Sequence, residues 1–106
     1  MKVISKKTIK NIVREIVDAC DPELVILFGS YGRGKPKKDS DLDIFVVADL
    51  PGTASEKNRF VDRAITSSSF GIDIVVRSRE QVKNALKGRD WFIQEIFAEG
   101  KKLYAR

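Results

Sequence analysis

The sequence predicts a mixed α/β (α+β) domain, a small mixed sheet with helices on one face. Three observations predict it. Apolar residues recur at helical spacing over residues 6–20; a continuous apolar run fills residues 24–28; and two further apolar runs, residues 41–47 and 72–76, are interrupted by aspartates. The order is helix, strand, strand, helix, strand, helix, helix, with a short edge strand at the end, read as a single domain over residues 1–106.

In the first helix Ile9, Ile12, Val13, Ile16, Val17 and Cys20 form the apolar stripe, Ser5 caps the start and Asp21-Pro22 ends it. Leu24-Val25-Ile26-Leu27-Phe28, closed by glycine, reads as a central strand buried on both faces. A glycine- and lysine-rich stretch, residues 29–38, leads to a second strand, residues 41–47, and Leu50-Pro51-Gly52 is a loop. Residues 55–67 carry Phe60, Val61, Ala64 and Ile65 and read as a helix; residues 72–76 are the third strand. Ser78 and Gln81 have the form of a capping box for a helix ending near Gly88. Asp90 caps a last helix closed by Gly100, in which Ile93, Ile96 and Phe97 share an inward face while Phe92 and Trp91 lie farther round. Residues 102–105 form the edge strand.

Bulk composition narrows the function classes. The chain is 42% hydrophobic and carries 20 basic against 15 acidic side chains, a net charge of +5. That balance suits phosphate-bearing partners without favouring nucleic acid. The absence of histidine removes the commonest general base and, with Cys20 the only cysteine, disfavours structural zinc. Cys20 sits on an apolar helix face and reads as a buried, inert thiol. No apolar run approaches the ~20 residues of a membrane span, and the N-terminal residues lack the apolar stretch of a signal peptide, so a cytoplasmic location is expected.

Chemistry concentrates in residues 29–43 and at Asp73. Asp41 and Asp43, two apart at a strand start, point to one face, with Cα atoms about 6.6 Å apart. Carboxylates at about 7 Å repel by about 2 kcal/mol at an effective dielectric of 20, and Asp73 adds to this if its strand is a neighbour. A divalent cation reverses the sign, and magnesium prefers oxygen ligands while leaving positions open for phosphate. Alone, each aspartate reads equally as a turn or solvent-facing strand residue. Gly29 directly after a buried strand permits a sharp turn and close approach to a ligand. Ser30 offers a hydroxyl and N–H at a short helical turn, and Arg33, three residues on, offers a rigid fork for phosphate. Lys35, Lys37 and Lys38 form a basic loop that is either solvated or able to steer anions. Residues 29–35 also fit the first seven positions of a P-loop, but Pro36 replaces the required hydroxyl and the chain runs on into a strand instead of a long helix.

The segment Gly29-Ser30-Tyr31-Gly32-Arg33-Gly34-Lys35-Pro36-Lys37-Lys38-Asp39-Ser40-Asp41-Leu42-Asp43 resembles the signature of DNA polymerase beta-like nucleotidyltransferases: Gly-Ser, about ten residues, Asp-x-Asp, then a third acidic residue on a later strand. Arg33-Gly34, and Ser40 before Asp41, are similar to the minimal nucleotidyltransferase branch, small proteins often paired as antitoxins with a HEPN-domain toxin. The resemblance implies the nucleotidyltransferase fold. It implies that Gly29, Ser30 and Arg33 hold the triphosphate of a nucleotide, ATP being favoured. Asp41, Asp43 and Asp73 would be both catalytic and ligands to two magnesium ions. The implied reaction moves a nucleoside monophosphate to a hydroxyl, with Asp73 helping to deprotonate the acceptor and a HEPN-type partner supplying it. Gly32 stands where many relatives have alanine, at a helix-propensity cost of up to about 1 kcal/mol. Two alternatives stay open: a catalytically idle protein that neutralises its partner by contact, and a transferase acting on a small molecule.

Overall fold

The computed structural model describes residues 4–36, 40–66 and 71–106. Its elements are α1 (Lys6–Cys20), β1 (Leu24–Phe28), α2 (Gly29–Gly32), β2 (Leu42–Val47), α3 (Ala54–Ala64), β3 (Ile72–Arg77), α4 (Arg79–Lys87), α5 (Trp91–Glu99) and β4 (Lys101–Ala105). The helix expected over residues 55–67 ends at Ala64, where Ile65 turns to an extended conformation, and Lys37 and Lys38 of the basic loop lie outside the described residues.

The local signals account for the element ends. The Ser5 hydroxyl accepts from the Thr8 N–H at 3.1 Å, and Asp21 closes α1 in the left-handed region, φ 45°. Ser78 and Gln81 make both bonds of their capping box. Thr53 and Glu56 form a second box that starts α3, a pattern the sequence carries and the reading above passed over. Asp90 caps α5 by accepting from the Ile93 N–H at 3.2 Å.

The strands form one sheet in the order β3-β2-β1-β4. β1 pairs antiparallel with β2 and with β4, whereas β2 and β3 are parallel, so the chain must cross over between them, and α3 lies in that connection. The expectation of helices on one face is corrected here. Val25 and Leu27 of β1 and Leu42, Ile44 and Val46 of β2 pack with Ile12 and Ile16 of α1 and Val61 of α3. The alternate residues Ile26, Phe45 and Val47 pack with Val82 of α4 and Ile93 and Ile96 of α5. The inner strands are apolar at successive positions, so both of their faces need cover, and helices supply it on both sides. Phe45, fully buried, meets Phe97 edge-on with ring centroids 6.0 Å apart.

The α5 face divides as its spacing predicts: Ile93 and Ile96 are buried, while Trp91 and Phe92 stay 74% and 48% exposed. Cys20 is buried, and desolvation raises its thiol pKa, as suits an inert side chain. Among the described residues no helix is long and apolar enough to cross a membrane.

Candidate active site

The site forms where β1 ends. Gly29 turns the chain with φ +68°, a conformation that side chains with a Cβ rarely adopt. It also leaves no room for one: a Cβ there would lie 2.1 Å from Oδ2 of Asp43. Phe28 and Asp43 are register partners across the antiparallel β1–β2 pair, which brings the carboxylate beside the turn. The turn continues into α2, whose Arg33 N–H donates to the Gly29 carbonyl at 3.1 Å. Tyr31 anchors it from below: its buried hydroxyl accepts from the Ile4 N–H at 3.1 Å, tying the turn to the start of α1. Ser30 is half-buried and Arg33 is exposed. Gly32 owes its presence to contact with β1, because a Cβ at that position would lie 2.5 Å from the Leu27 carbonyl oxygen.

Asp43 on β2 and Asp73 on β3 are direct partners in parallel register, with side chains on the same face of the sheet. Carboxylates about 5 Å apart repel by about 3 kcal/mol at an effective dielectric of 20. Asp43 responds with a raised affinity for its proton: its pKa is pushed up to about 6. Partial burial is the largest cause, followed by the charge of Asp73, a hydrogen bond with Asp73 and the charge of Asp41, while the nearby Arg33 guanidinium opposes them.

β2 begins at Leu42, so Asp41 lies just before the strand, exposed, and its Oδ1 occupies space that a side chain at Gly71 would need. The Leu42 N–H donates to the Gly71 carbonyl at 3.2 Å, which fixes this corner. The structure thus pairs Asp43 with Asp73 and keeps Asp41 on the same side of the sheet, opposite Gly71 and near enough for its charge to act on Asp43. Among the described residues no three acidic side chains are grouped closely enough to ligate one ion. The donor set nevertheless fits magnesium in kind, being all carboxylate oxygen, and Asp43 and Asp73 form a pair whose shared negative charge a cation would neutralise.

Beside Gly29 lies a cleft of about 160 Å³, lined by Phe28, Gly29, Arg33, Phe92, Glu95, Ile96, Glu99 and Gly100. Phe92 stands edge-on to Phe28 at 5.8 Å between ring centroids. Glu95, Glu99 and Phe92 as walls of this cleft were not visible in the sequence. They belong to α5, far from the glycine turn along the chain, and only the packing of α5 against β1 brings them there. The role of Tyr31 as an anchor also depends on tertiary contact alone. Gly71 next to Asp73 was legible as a glycine but not as the seat of Asp41.

The nucleotidyltransferase domain family model matches residues 6–104. A Methanocaldococcus jannaschii protein named as a candidate protein adenylyltransferase is 34% identical over 71 residues, 67% of this chain and 66% of that protein. The chain thus matches just under two thirds of that relative's length. The crystal structure of a candidate nucleotidyltransferase from Sulfolobus solfataricus is similar in fold, with TM-score 0.65 and 24% identity over 94% of this chain and 79% of that one. A toxin–antitoxin structure with AMP-PNP has TM-score 0.60 and 24% identity over 92% of this chain and 73% of that one. An MntA–HpeT toxin–antitoxin variant, in which two aspartates two positions apart are replaced by glutamate, has TM-score 0.62 and 18% identity over 97% of this chain and 75% of that one. The chain belongs to the nucleotidyltransferase domain family.

Proposed function

We propose that this chain transfers a nucleoside monophosphate, AMP from ATP, to a hydroxyl on a partner protein, and that it is the antitoxin of a pair with a HEPN-type toxin. The observation that carries the reading is the register pairing of Asp43 with Asp73 directly behind the Gly29 turn, with Arg33 near enough to oppose the rise in the Asp43 pKa. Gly29, Ser30 and Arg33 would hold the phosphates, Arg33 as a charge-assisted fork. The acceptor oxygen attacks the α-phosphorus, the bond to the bridging oxygen breaks and pyrophosphate leaves. The acceptor's proton passes to the Asp43–Asp73 pair, in which Asp43 holds a proton more readily than an isolated carboxylate. Asp41, Asp43 and Asp73 would hold two magnesium ions, which when bound supply positive charge to the phosphates and to the attacking oxygen.

The protein acceptor is supported by the size of the cleft and by what surrounds it. About 160 Å³ falls below the ~300–1,000 Å³ of pockets that enclose a small ligand, so much of a bound nucleotide is left for another surface to cover. Trp91 and Phe92 are exposed on α5, Phe92 on the cleft wall itself, as an apolar rim for such a surface. The names of the archaeal relative and of the toxin–antitoxin structures support the same direction. The exposed Trp91 and Phe92 also suit a second reading, a protein that neutralises its partner by contact alone. The test is to mix the chain with ATP, magnesium and the protein of the neighbouring gene, and to weigh that protein. A gain of one AMP supports transfer. An unmodified neighbour held in a stable complex supports contact, and transfer to a small-molecule hydroxyl instead of the neighbour overturns the protein-acceptor reading.

A further inference from the structure

On the other face of the sheet from the cleft, α1 and β4 enclose a groove of about 270 Å³ that the proposed reaction does not use. Lys6 and Lys10 stand one helical turn apart on α1, and Lys101, the cross-strand partner of Leu27, faces them from β4, with Lys102 at the rim. All four are exposed, and no acidic side chain lines the groove among the described residues. Its floor is apolar: Ile9 and Val13, on the same helical stripe as the two lysines, with Leu103 opposite.

We infer that this groove docks an acidic amphipathic helix of a partner protein. Such a helix lays its apolar stripe on Ile9, Val13 and Leu103 and sets its carboxylates against the ammonium groups of Lys6, Lys10 and Lys101. A phosphate-bearing ligand matches only half of the surface. It answers the lysines but leaves the apolar floor wet, and the groove offers neither an aromatic platform for bases nor an arginine fork for phosphate. An added β-strand is disfavoured as well, because lysines on an edge strand such as β4 oppose strand addition. A helix seated here leaves Gly29 and Arg33 accessible, so docking and transfer are compatible and separable.

The test is an NMR titration of the isotope-labelled full chain with a synthetic helical peptide, leucines along one face and glutamates flanking them. Shifts confined to α1 and β4, weakening as salt rises, are expected. Lys10→Glu with Lys101→Glu should weaken binding about tenfold with the spectrum otherwise intact. If the charge reversal unfolds the chain, Lys10→Gln with Lys101→Gln reads the same effect. A peptide carrying glutamine for glutamate should lose affinity similarly. The inference is overturned by no binding, by shifts elsewhere, or by full affinity in the double variant. It is equally overturned if single-stranded RNA or phosphatidylglycerol vesicles occupy these residues more tightly than the peptide.

Discussion

Gly29 and Asp43 share one space: the missing side chain of the first is where the carboxylate of the second sits, 2.1 Å from the position a Cβ would take. The glycine at the end of β1 and the aspartate near the start of β2 are therefore two halves of one feature. We predict that Gly29→Ala costs about 1–3 kcal/mol of stability, because alanine is strained at φ +68° and displaces Asp43. Adding Asp43→Ala should recover part of the loss by opening the space. Denaturant melts of both variants check this, and an unchanged midpoint for Gly29→Ala would refute the packing argument.

Asp43 gives a pH dependence with a definite sign. Its folded pKa of about 6 exceeds the ordinary 3.8, so between those values the folded chain keeps a proton that the unfolded chain has lost. Stability from this group is full at low pH and declines as pH rises through about 6. Asp43→Asn removes the decline. At pH 8 it should be more stable than the parent by about 1 kcal/mol, solvent screening of this half-exposed group allowed for, and should have no transfer activity. Urea melts at pH 5 and pH 8 check the sign, and active Asp43→Asn enzyme would remove the residue from the site. Magnesium should raise the melting temperature of the parent at pH 8 more than that of the variant.

Arg33 lines the cleft and Ser30 begins the turn beside it. We predict that Arg33→Ala weakens triphosphate binding about tenfold or more, with little change in melting temperature, because the side chain is exposed. Arg33→Lys should restore charge but not the fork, and so only part of the affinity. Ser30→Ala should act in the same direction. Calorimetric titration with a non-hydrolysable ATP analogue reads all three, and unchanged affinity in Arg33→Ala and Ser30→Ala would place the phosphates elsewhere.

Gly32 tests whether packing or helix propensity wins. On propensity alone, Gly32→Ala gains up to about 1 kcal/mol. In this fold the added Cβ meets the Leu27 carbonyl at 2.5 Å, a backbone atom that cannot swing aside. We predict net destabilisation, read as a lower thermal midpoint; a higher one would show that α2 can shift away from β1.

Phe45 is fully buried between the inner sheet and α5. Phe45→Ala should cost about 3–5 kcal/mol, a loss that calorimetry resolves easily.

Much of this was readable from residue order alone. Ser5, Ser78 with Gln81, Asp90 and Gly100 marked helix ends because capping is a local hydrogen-bonding matter, complete within a few residues. The acidic and glycine-rich signature was legible for the same reason: its parts lie close in sequence. What failed needed distance. The uninterrupted apolar runs of β1 and β2 already implied two buried faces, yet the assignment of helices to faces depends on how α4 and α5 fold back over Phe45. Asp41 stands at the start of β2, but its seat on Gly71 arises across a strand pair and is not written in its own segment. Glu95 and Glu99 reach the cleft through helix docking, which no spacing rule encodes.

The parallel pairing of β2 with β3 also sets when the site comes into being. Antiparallel β1 and β2 can zip from a short connection, but Asp43 meets Asp73 only after the intervening chain has closed a long loop through α3. Contacts between positions so far apart form slowly and tend to come late along a folding route. The carboxylate pair is thus a signature of the finished sheet, and a half-folded chain carries the Asp-x-Asp sequence without its counterpart. Activity would then report complete folding, and a kinetic refolding experiment should find it returning no sooner than the slowest structural phase.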